Sequence, residues 1–277
     1  MMIATTLDEL RTARKLLAGP LGLVPTMGYL HDGHLSLVRR AREECQGVVV
    51  SIFVNPAQFG PKEDLSKYPR DLERDLKLLE AAGADLVWTP TPEIIYLPGF
   101  QTWVTVENLT LPLEGAVRPG HFRGVTTVVA KLFNAVGAEK SYFGQKDAQQ
   151  AAVIRRMALD LNIPTEVIIC PTVRESDGLA MSSRNTYLNP DERQAATVLY
   201  RSLSAARAAF EAGERSAETL RKIVIETVAA EPLAQLQYVS CADYDSLQEL
   251  ERLPGKTLLS MAAFIGKTRL IDNFILG

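Results

Sequence analysis

Residues 47–55 read GVVVSIFVN, a nearly unbroken β-branched run with no polar alternation. A strand of that composition is buried on both faces, as in a parallel sheet with helices on either side. The surrounding sequence supplies the partners. LGLVPT (21–26) is a second short apolar run, and a helical stretch follows over about 35–45. PRDLERDLKLLEAAG (69–83) spaces Leu72, Leu76 and Leu79 along one helix face, with Pro69 at its start and Gly83 at its end. ADLVWTP (84–90) reads as a third strand. GVTTVVAKLFNAVG (124–137), KSYFG (140–144), DAQQAAVIRRMALDLN (147–162) and TEVIIC (165–170) continue as helix, strand, helix, strand. This alternation predicts right-handed βαβ units and an α/β fold, a Rossmann-like doubly wound parallel sheet over residues 1–171. Such a sheet takes its ligand outside the carboxyl ends of its strands, at the topological switch point.

The pattern changes after Pro171. Two amphipathic helices are expected at about 190–212 and 216–230, followed by QYVSCADY (237–244) and TLLSMAAFIGKTRLIDNFIL (257–276). Gly266-Lys267 splits the last apolar run and predicts a hairpin. Residues 172–277 therefore read as a smaller α+β domain, expected to cover the active site. The boundary loop TVRESDGLAMSSRN (172–185) carries chemistry of its own.

Composition excludes several classes of function. With a net charge of −3 and dispersed Lys and Arg, the chain has no electrostatic footprint for nucleic acid. No apolar run reaches the length of a membrane span, and the N-terminal MMIATTLDELRTARK lacks the order of a signal peptide. The three cysteines, Cys45, Cys170 and Cys241, lie far apart with neither metal-type nor disulfide-framework spacing, which fits a reducing cytoplasm.

The chain has three histidines, and two of them stand in PTMGYLHDGH (25–34). Gly28 and Gly33 let the backbone approach a ligand closely. A helix beginning near Gly33 would offer free N–H groups to an anion, with His31 and His34 on one side of its first turn. Two imidazole donors there favour phosphate over zinc, which would want a third and a fourth ligand; no metal site is expected. Capping or plain surface histidines are the alternative. GQKD (144–147) closes an apolar strand, and Lys146 stands at the expected start of the next helix, where a lysine reaches phosphates as a mobile point charge. MSSRN (181–185) offers Ser182, Ser183 and Arg184, which could neutralise charge on a leaving group. His121 lies in RPGHFRG between Arg118 and Arg123, a compact cationic loop.

PTMGYLHDGH followed by MSSR resembles the HxGH and KMSKS-like signatures of the nucleotidyltransferase superfamily, which includes class I aminoacyl-tRNA synthetases. FVNPAQFGPKEDLSKYPRD, RPGHFRGVTTVV, YFGQKDAQQ, LAMSSRN and TRLIDN extend the match in order over nearly the whole chain. Together they resemble the pantoate–β-alanine ligase family. The resemblance implies that Met27, Gly28, Tyr29, Leu30, His31, Asp32, Gly33 and His34 hold ATP, with His34 the catalytic histidine. It implies that Gly144, Gln145, Lys146 and Asp147, together with Met181, Ser182, Ser183 and Arg184, complete the nucleotide site, with Val173 near the adenine. Gln58 and Gln150 would hold pantoate, and Gln58 would also lie where β-alanine arrives. His31, His34, Lys146, Ser182, Ser183 and Arg184 suit the stabilisation of phosphate charge. Mg²⁺ is expected on the phosphates, with no protein ligand named, and a homodimer is implied by the family alone. The rivals are another HxGH nucleotidyltransferase acting on a small metabolite, a tRNA-charging enzyme and a non-catalytic nucleotide-binding module. The chain has room for neither an anticodon-reading module nor the basic surface a tRNA-charging enzyme needs.

Overall fold

The protein is represented by a computed structural model that describes residues 1–61 and 63–277. In chain order the elements are β1 (Met2–Ala4), α1 (Leu7–Arg14), β2 (Leu21–Thr26), α2 (Asp32–Glu44), β3 (Gly47–Ile52), α3 (Leu72–Ala81), β4 (Leu86–Trp88), α4 (Pro92–Ile95), α5 (Glu114–Val117), α6 (His121–Val136), β5 (Lys140–Gly144), α7 (Ala148–Asp160) and β6 (Glu166–Cys170). Then follow α8 (Pro190–Ala195), α9 (Val198–Glu211), α10 (Ala217–Ala229), β7 (Ala234–Asp243), β8 (Thr257–Ile265) and β9 (Thr268–Leu276). The chain divides into two compact units. The first is Met1–Gln145 with Gln149–Pro171, and the second is Lys146–Ala148 with Thr172–Gly277.

In the first unit β1–β6 form one parallel sheet in the order β1-β4-β3-β2-β5-β6. The buried β-branched run is β3, flanked by β2 and β4, as its composition requires. Its alternate residues feed two cores. Val49 joins Leu21, Leu23, Leu86 and Trp88 beneath Leu10 of α1, Val129 and Phe133 of α6, and Ile154 and Met157 of α7. Val48 and Val50 join Val24, Val87 and Tyr142 beneath Leu35 and Val38 of α2 and Leu79 of α3. Helices therefore cover both faces, which is the doubly wound arrangement. The chain steps outward from β2 through β3 to β4, then returns to place β5 on the other side of β2. The strand order thus reverses between β2 and β5, and the loops leaving those two strands begin at Met27 and Gln145.

Some elements differ from their sequence expectations. β1 is three residues long, too short to carry a period. α6 starts at His121 rather than Gly124, directly after Gly120 in the left-handed conformation at φ 83°, and ends against Gly137 at φ 61°. The single helix expected at 190–212 is two, because the Thr197 amide bonds to the carbonyl of Gln194, three residues back.

The second unit holds the antiparallel sheet β7-β8-β9. Val198, Leu199 and Leu203 of α9 and Leu220, Val224 and Val228 of α10 pack on Cys241, Leu259, Met261 and Ile265 of the sheet. β8 and β9 are joined at Gly266-Lys267, with Gly266 at φ 55°, as a two-residue hairpin demands. Among the described residues no helix is long and apolar enough to cross a membrane.

Leu23 is fully buried in β2, against the face covered by α1, α6 and α7. Leu23→Ala is expected to cost about 2–5 kcal/mol, read as a lower denaturation midpoint in urea.

Candidate active site

The loop that leaves β2 at the strand-order reversal is held in one shape from three sides. Thr26 Oγ1 donates to the Ser51 carbonyl at 2.8 Å and accepts the Gly28 N–H at 3.2 Å. Gly28 takes φ 81°, and a Cβ there would meet Ile52 Cγ2 at 3.0 Å and Asp75 Oδ2 at 3.1 Å, so both conformation and space require glycine. Tyr29 also has a positive φ, 50°, which is uncommon for a large side chain. Asp75 from α3 compensates for it. Its carboxylate accepts the Tyr29 N–H at 2.6 Å and the Leu30 N–H at 2.8 Å, and its side chain is 1% exposed. Burial raises the Asp75 pKa, and the two amide donors pull the other way.

That loop delivers His31 to the N-cap of α2. His31 Nδ1 accepts the Gly33 N–H at 3.1 Å, so in the neutral ring the hydrogen sits on Nε2, making that edge the donor. The His34 ring lies 4.1 Å from the His31 ring, centroid to centroid, at a tilt of 36°. The expectation that the two imidazoles share one side of the first turn holds in this geometry. His31 is also a capping histidine, so the two readings of that residue are compatible. Gly33, unlike Gly28, lies inside α2, where its amide serves the cap.

Gln58 closes a 3₁₀ turn (Pro56–Gln58) after β3. Its amide is fixed at both ends: Nε2 donates to Met27 Sδ at 3.1 Å and Oε1 accepts from Asn55 Nδ2 at 3.1 Å. Asn55 is itself buried, donating to the Gly124 carbonyl at 3.1 Å and accepting from Tyr96 Oη at 2.7 Å. Burial pushes the Tyr96 hydroxyl up to about 12, so it stays a donor. α6 supports the turn from below. A Cβ on Gly124 would fall 2.3 Å from the Ala57 carbonyl oxygen.

His121, the third histidine, belongs to this support. A guanidinium can only donate, so Arg118 Nη1 donates to His121 Nε2 at 3.2 Å, and His121 Nδ1–H donates to the Gln58 carbonyl at 2.9 Å. Arg118 grips Glu63 through two hydrogen bonds of 2.8 and 2.7 Å and lies 3.6 Å from Glu114. Burial works against the Glu63 charge, but the Arg118 bonds outweigh it and leave the pKa lowered. Burial, then the Arg118 cation, push His121 down to about 4. It is a neutral strut at neutral pH.

Gln149 and Gln150 are neighbours in α7 with different fates. Gln149 is buried and saturated, donating to the carbonyls of Leu109 (2.9 Å) and Pro112 (2.8 Å) and accepting the Glu114 N–H (2.9 Å). Gln150 is half-buried. Gly144 ends β5, and Gln145 opens the 3₁₀ turn Gln145–Asp147.

In the second unit, Lys146 Nζ lies 3.9 Å from Asp147 Oδ1, and the Lys146 carbonyl accepts from Asn273 Nδ2 at 2.9 Å. The Met181 N–H donates to the Val173 carbonyl at 3.0 Å, drawing together the residue expected at the adenine and the start of MSSR. Ser182 Oγ accepts the Arg184 N–H at 3.2 Å and caps the 3₁₀ turn Ser183–Tyr187, with Ser183 buried. The loop before it is clamped by Arg193, which reaches Glu175 at 2.6 Å and Asp177 at 2.8 Å. The three cysteines are free and buried.

Asp75, Asn55 and Tyr96 are not candidates from sequence. Asp75 has a visible signal there: it is three residues after Leu72 and four before Leu79, a charge on the apolar stripe of α3. Asn55 and Tyr96 look in sequence like any loop residues.

Over residues 2–275 the chain matches the family described as pantoate-beta-alanine ligase. It is 61% identical to a pantothenate synthetase of Roseiflexus sp. strain RS-1 over 276 residues, covering 100% of this chain and 99% of the relative. It is 59% identical over 277 residues to a pantothenate synthetase of Herpetosiphon aurantiacus, covering 100% of both. A crystal structure of pantothenate synthetase from Thermus thermophilus superposes with a TM-score of 0.95 at 49% identity, covering 99% of each chain. A pantoate-beta-alanine ligase from Francisella tularensis, crystallised with β,γ-ATP and β-alanine, superposes with a TM-score of 0.83 at 35% identity, covering 99% of this chain and 97% of that one.

The geometry of the first unit has two measurable consequences. Asp75→Ala leaves the Tyr29 and Leu30 N–H groups without their acceptor, at about 1–3 kcal/mol per unsatisfied donor, and Asp75→Asn is expected to cost less. Chemical denaturation of the two variants reads the difference. His121 gives a pH dependence. Its pKa is about 4 in the fold against 6.5 as the ordinary value, so on acidification the unfolded chain takes up the proton first. Stability is therefore highest above pH 6.5 and falls as pH drops towards about 4, by at most about 3 kcal/mol from this residue. His121→Gln should flatten the stability-versus-pH curve in that window; an unchanged slope would refute the assignment.

Proposed function

The chain belongs to the pantoate–β-alanine ligase family, and on that premise we propose that it joins pantoate to β-alanine with ATP through a pantoyl adenylate. The observation that carries the reading is the contact of Gln58 with Met27, because it ties the residue proposed for pantoate to the loop proposed for ATP.

A carboxylate and an amine do not form an amide until a carboxylate oxygen is made a good leaving group. In the proposed first step a pantoate carboxylate oxygen attacks the α-phosphorus of ATP, the bond to the bridging oxygen breaks, and pyrophosphate departs. In the second step the neutral amine of β-alanine attacks the acyl carbon, AMP leaves with the carbon–oxygen bond electrons, and the amine nitrogen loses a proton. Neither step needs a protein nucleophile. The protein's contribution is to position the reactants and to stabilise charge on the phosphorus oxygens and the departing pyrophosphate.

His31 and His34, at the N-terminus of α2, are the proposed donors from the first unit. Lys146, Ser182, Ser183 and Arg184 are those from the second. Residues 27–34, 144–147, 173 and 181–184 make up the proposed nucleotide contacts. Gln58 and Gln150 are proposed for pantoate, with Gln58 also at the β-alanine position. Mg²⁺ would enter with ATP, held by phosphate oxygens and water, and would offset phosphate charge there. A cytoplasmic homodimer completes the proposal.

Incubation with ATP, Mg²⁺, pantoate and β-alanine should give pantothenate, AMP and pyrophosphate by mass spectrometry. Without β-alanine the protein should hold pantoyl adenylate and exchange pyrophosphate into ATP. ADP as the stoichiometric product, or a pantoyl group bonded to the protein, would overturn the mechanism. Product formation that ignores β-alanine would instead indicate another nucleotidyltransferase of the superfamily. His34→Ala is expected to lower the rate by about 10²–10³, roughly 2.7–4 kcal/mol, if it acts as one preorganised donor. Gln150→Ala should weaken pantoate while leaving ATP binding nearly intact.

A further inference from the structure

The TRLIDN motif (268–273) contributes no residue to the proposed substrate contacts, yet it places two buried hydrogen-bonding residues at consecutive positions of β9. Asp272 is 2% exposed and Asn273 4%. Asp272 shares the strand register of Leu270, Phe274 and Leu276, which are core residues of the second unit, so a carboxylate stands where the pattern calls for an apolar side chain.

Asp272 is answered by Arg174. The guanidinium donates to Oδ2 at 2.7 Å and to Oδ1 at 2.9 Å, and it lies over the rings of Tyr200 (5.0 Å) and Phe274 (4.9 Å). The same Nη1 donates to the Gly178 carbonyl at 3.0 Å. An arginine held through two parallel bonds and two aromatic contacts has one admissible orientation. Arg174 therefore fixes the segment that begins at Val173. That segment doubles back through the Arg174↔Ala180 bridge and the bond from the Met181 N–H to the Val173 carbonyl, and leads directly into Ser182, Ser183 and Arg184.

Asn273 extends from the opposite face of the strand. Its Nδ2 donates to the main-chain carbonyl of Lys146 at 2.9 Å. One dipeptide thus holds both stretches of the second unit that carry the proposed phosphate donors. A buried ion pair is a weak source of net stability compared with an apolar pair of the same volume, whereas its geometry is restrictive.

We propose that Asp272 and Asn273 are positioning residues of the nucleotide site, Asp272 acting through Arg174 on Val173 and the MSSR turn, and Asn273 acting through the main chain of Lys146. The inference rests on the nucleotide roles proposed above for Lys146, Val173 and residues 181–184.

The experiment compares the wild type with Asn273→Ala, Asn273→Asp and Arg174→Lys. Three quantities are read: the thermal midpoint, the KM of each substrate, and equilibrium binding of a non-hydrolysable ATP analogue. Asn273→Ala should raise the KM for ATP and weaken the analogue by about fivefold to tenfold, the scale of one hydrogen bond. Asn273→Asp should be worse, because it replaces a donor with an anion facing a carbonyl. Arg174→Lys keeps the charge but loses the fork and the ring contacts, and should show the same selective loss. The KM for pantoate should stay within about twofold in all three, since the proposed pantoate residues belong to the other unit. Asn273→Ser is the milder substitution if Asn273→Ala does not fold. Folded variants with unchanged analogue binding would overturn the inference. So would a fall in thermal midpoint with all substrates weakened equally, which is the signature of a general structural role. A wild type that binds the analogue but makes no pantothenate would instead sink the functional reading, and analogue binding by the variants would still test this one.

Discussion

The reversal of strand order at β2 governs everything that the first unit presents. β2 pairs with β3 on one side and β5 on the other, so the chain leaving its carboxyl end emerges where the strand order reverses. The loop that begins at Met27 must turn sharply, and it does so with consecutive positive φ values at Gly28 and Tyr29. Such a turn persists only where its surroundings determine it. The Asp75 carboxylate, accepting the next two amides, is that determinant, and the N-cap geometry of His31 follows from it.

The same device recurs three times in different elements. A single titratable or charged group is placed on a face that periodicity assigns to the core, and it is spent on a neighbouring loop, on main-chain groups for Asp75 and His121 and on an arginine side chain for Asp272. Asp75 on α3 holds Tyr29 and Leu30, His121 on α6 holds the Gln58 carbonyl, and Asp272 on β9 holds Arg174. Burying each of these groups is unfavourable unless its bonds are complete, which restricts the loop to the one conformation that completes them. A loop fixed in this way presents its own side chains, His31 and Gln58 among them, without needing them to contribute to the hydrophobic core.

How much of this could be read in advance divides along physical lines. The parallel sheet was legible because a strand buried on both faces, such as residues 48–50, has no use for polar residues, and composition alone records that. The hairpin at Gly266 was legible because a two-residue turn needs particular residues. β1 was not, since three residues carry no period, and neither was the break at Thr197, which depends on local bonds that reach three residues back at Thr197 and Leu199. The phosphate-binding character of the HxGH loop could be argued from residue type. The roles of His121 and Gln149 could not, because a buried side chain that serves a main-chain group 63 or 35 residues away leaves no trace in local spacing. Even so, Asp75 and Asp272 were visible as charges out of phase with their elements.

Under the proposed chemistry, the pairing of neutral glutamines with a reacting carboxylate has a physical rationale. An arginine or lysine bonded to the pantoate carboxylate would stabilise its full charge in the ground state. That charge must pass into the bond with phosphorus in the transition state, so the stabilisation would be lost just when the barrier is crossed. An amide orients the carboxylate through one donor and the hydroxyls through one acceptor while leaving the nucleophilic oxygen less deeply stabilised. The cations are placed instead among residues assigned to the phosphates, where negative charge grows during the reaction. Arg118, the guanidinium bonded nearest to the Gln58 turn, is already taken up by Glu63, Glu114 and His121, so it supports the turn while its charge is balanced by its neighbours.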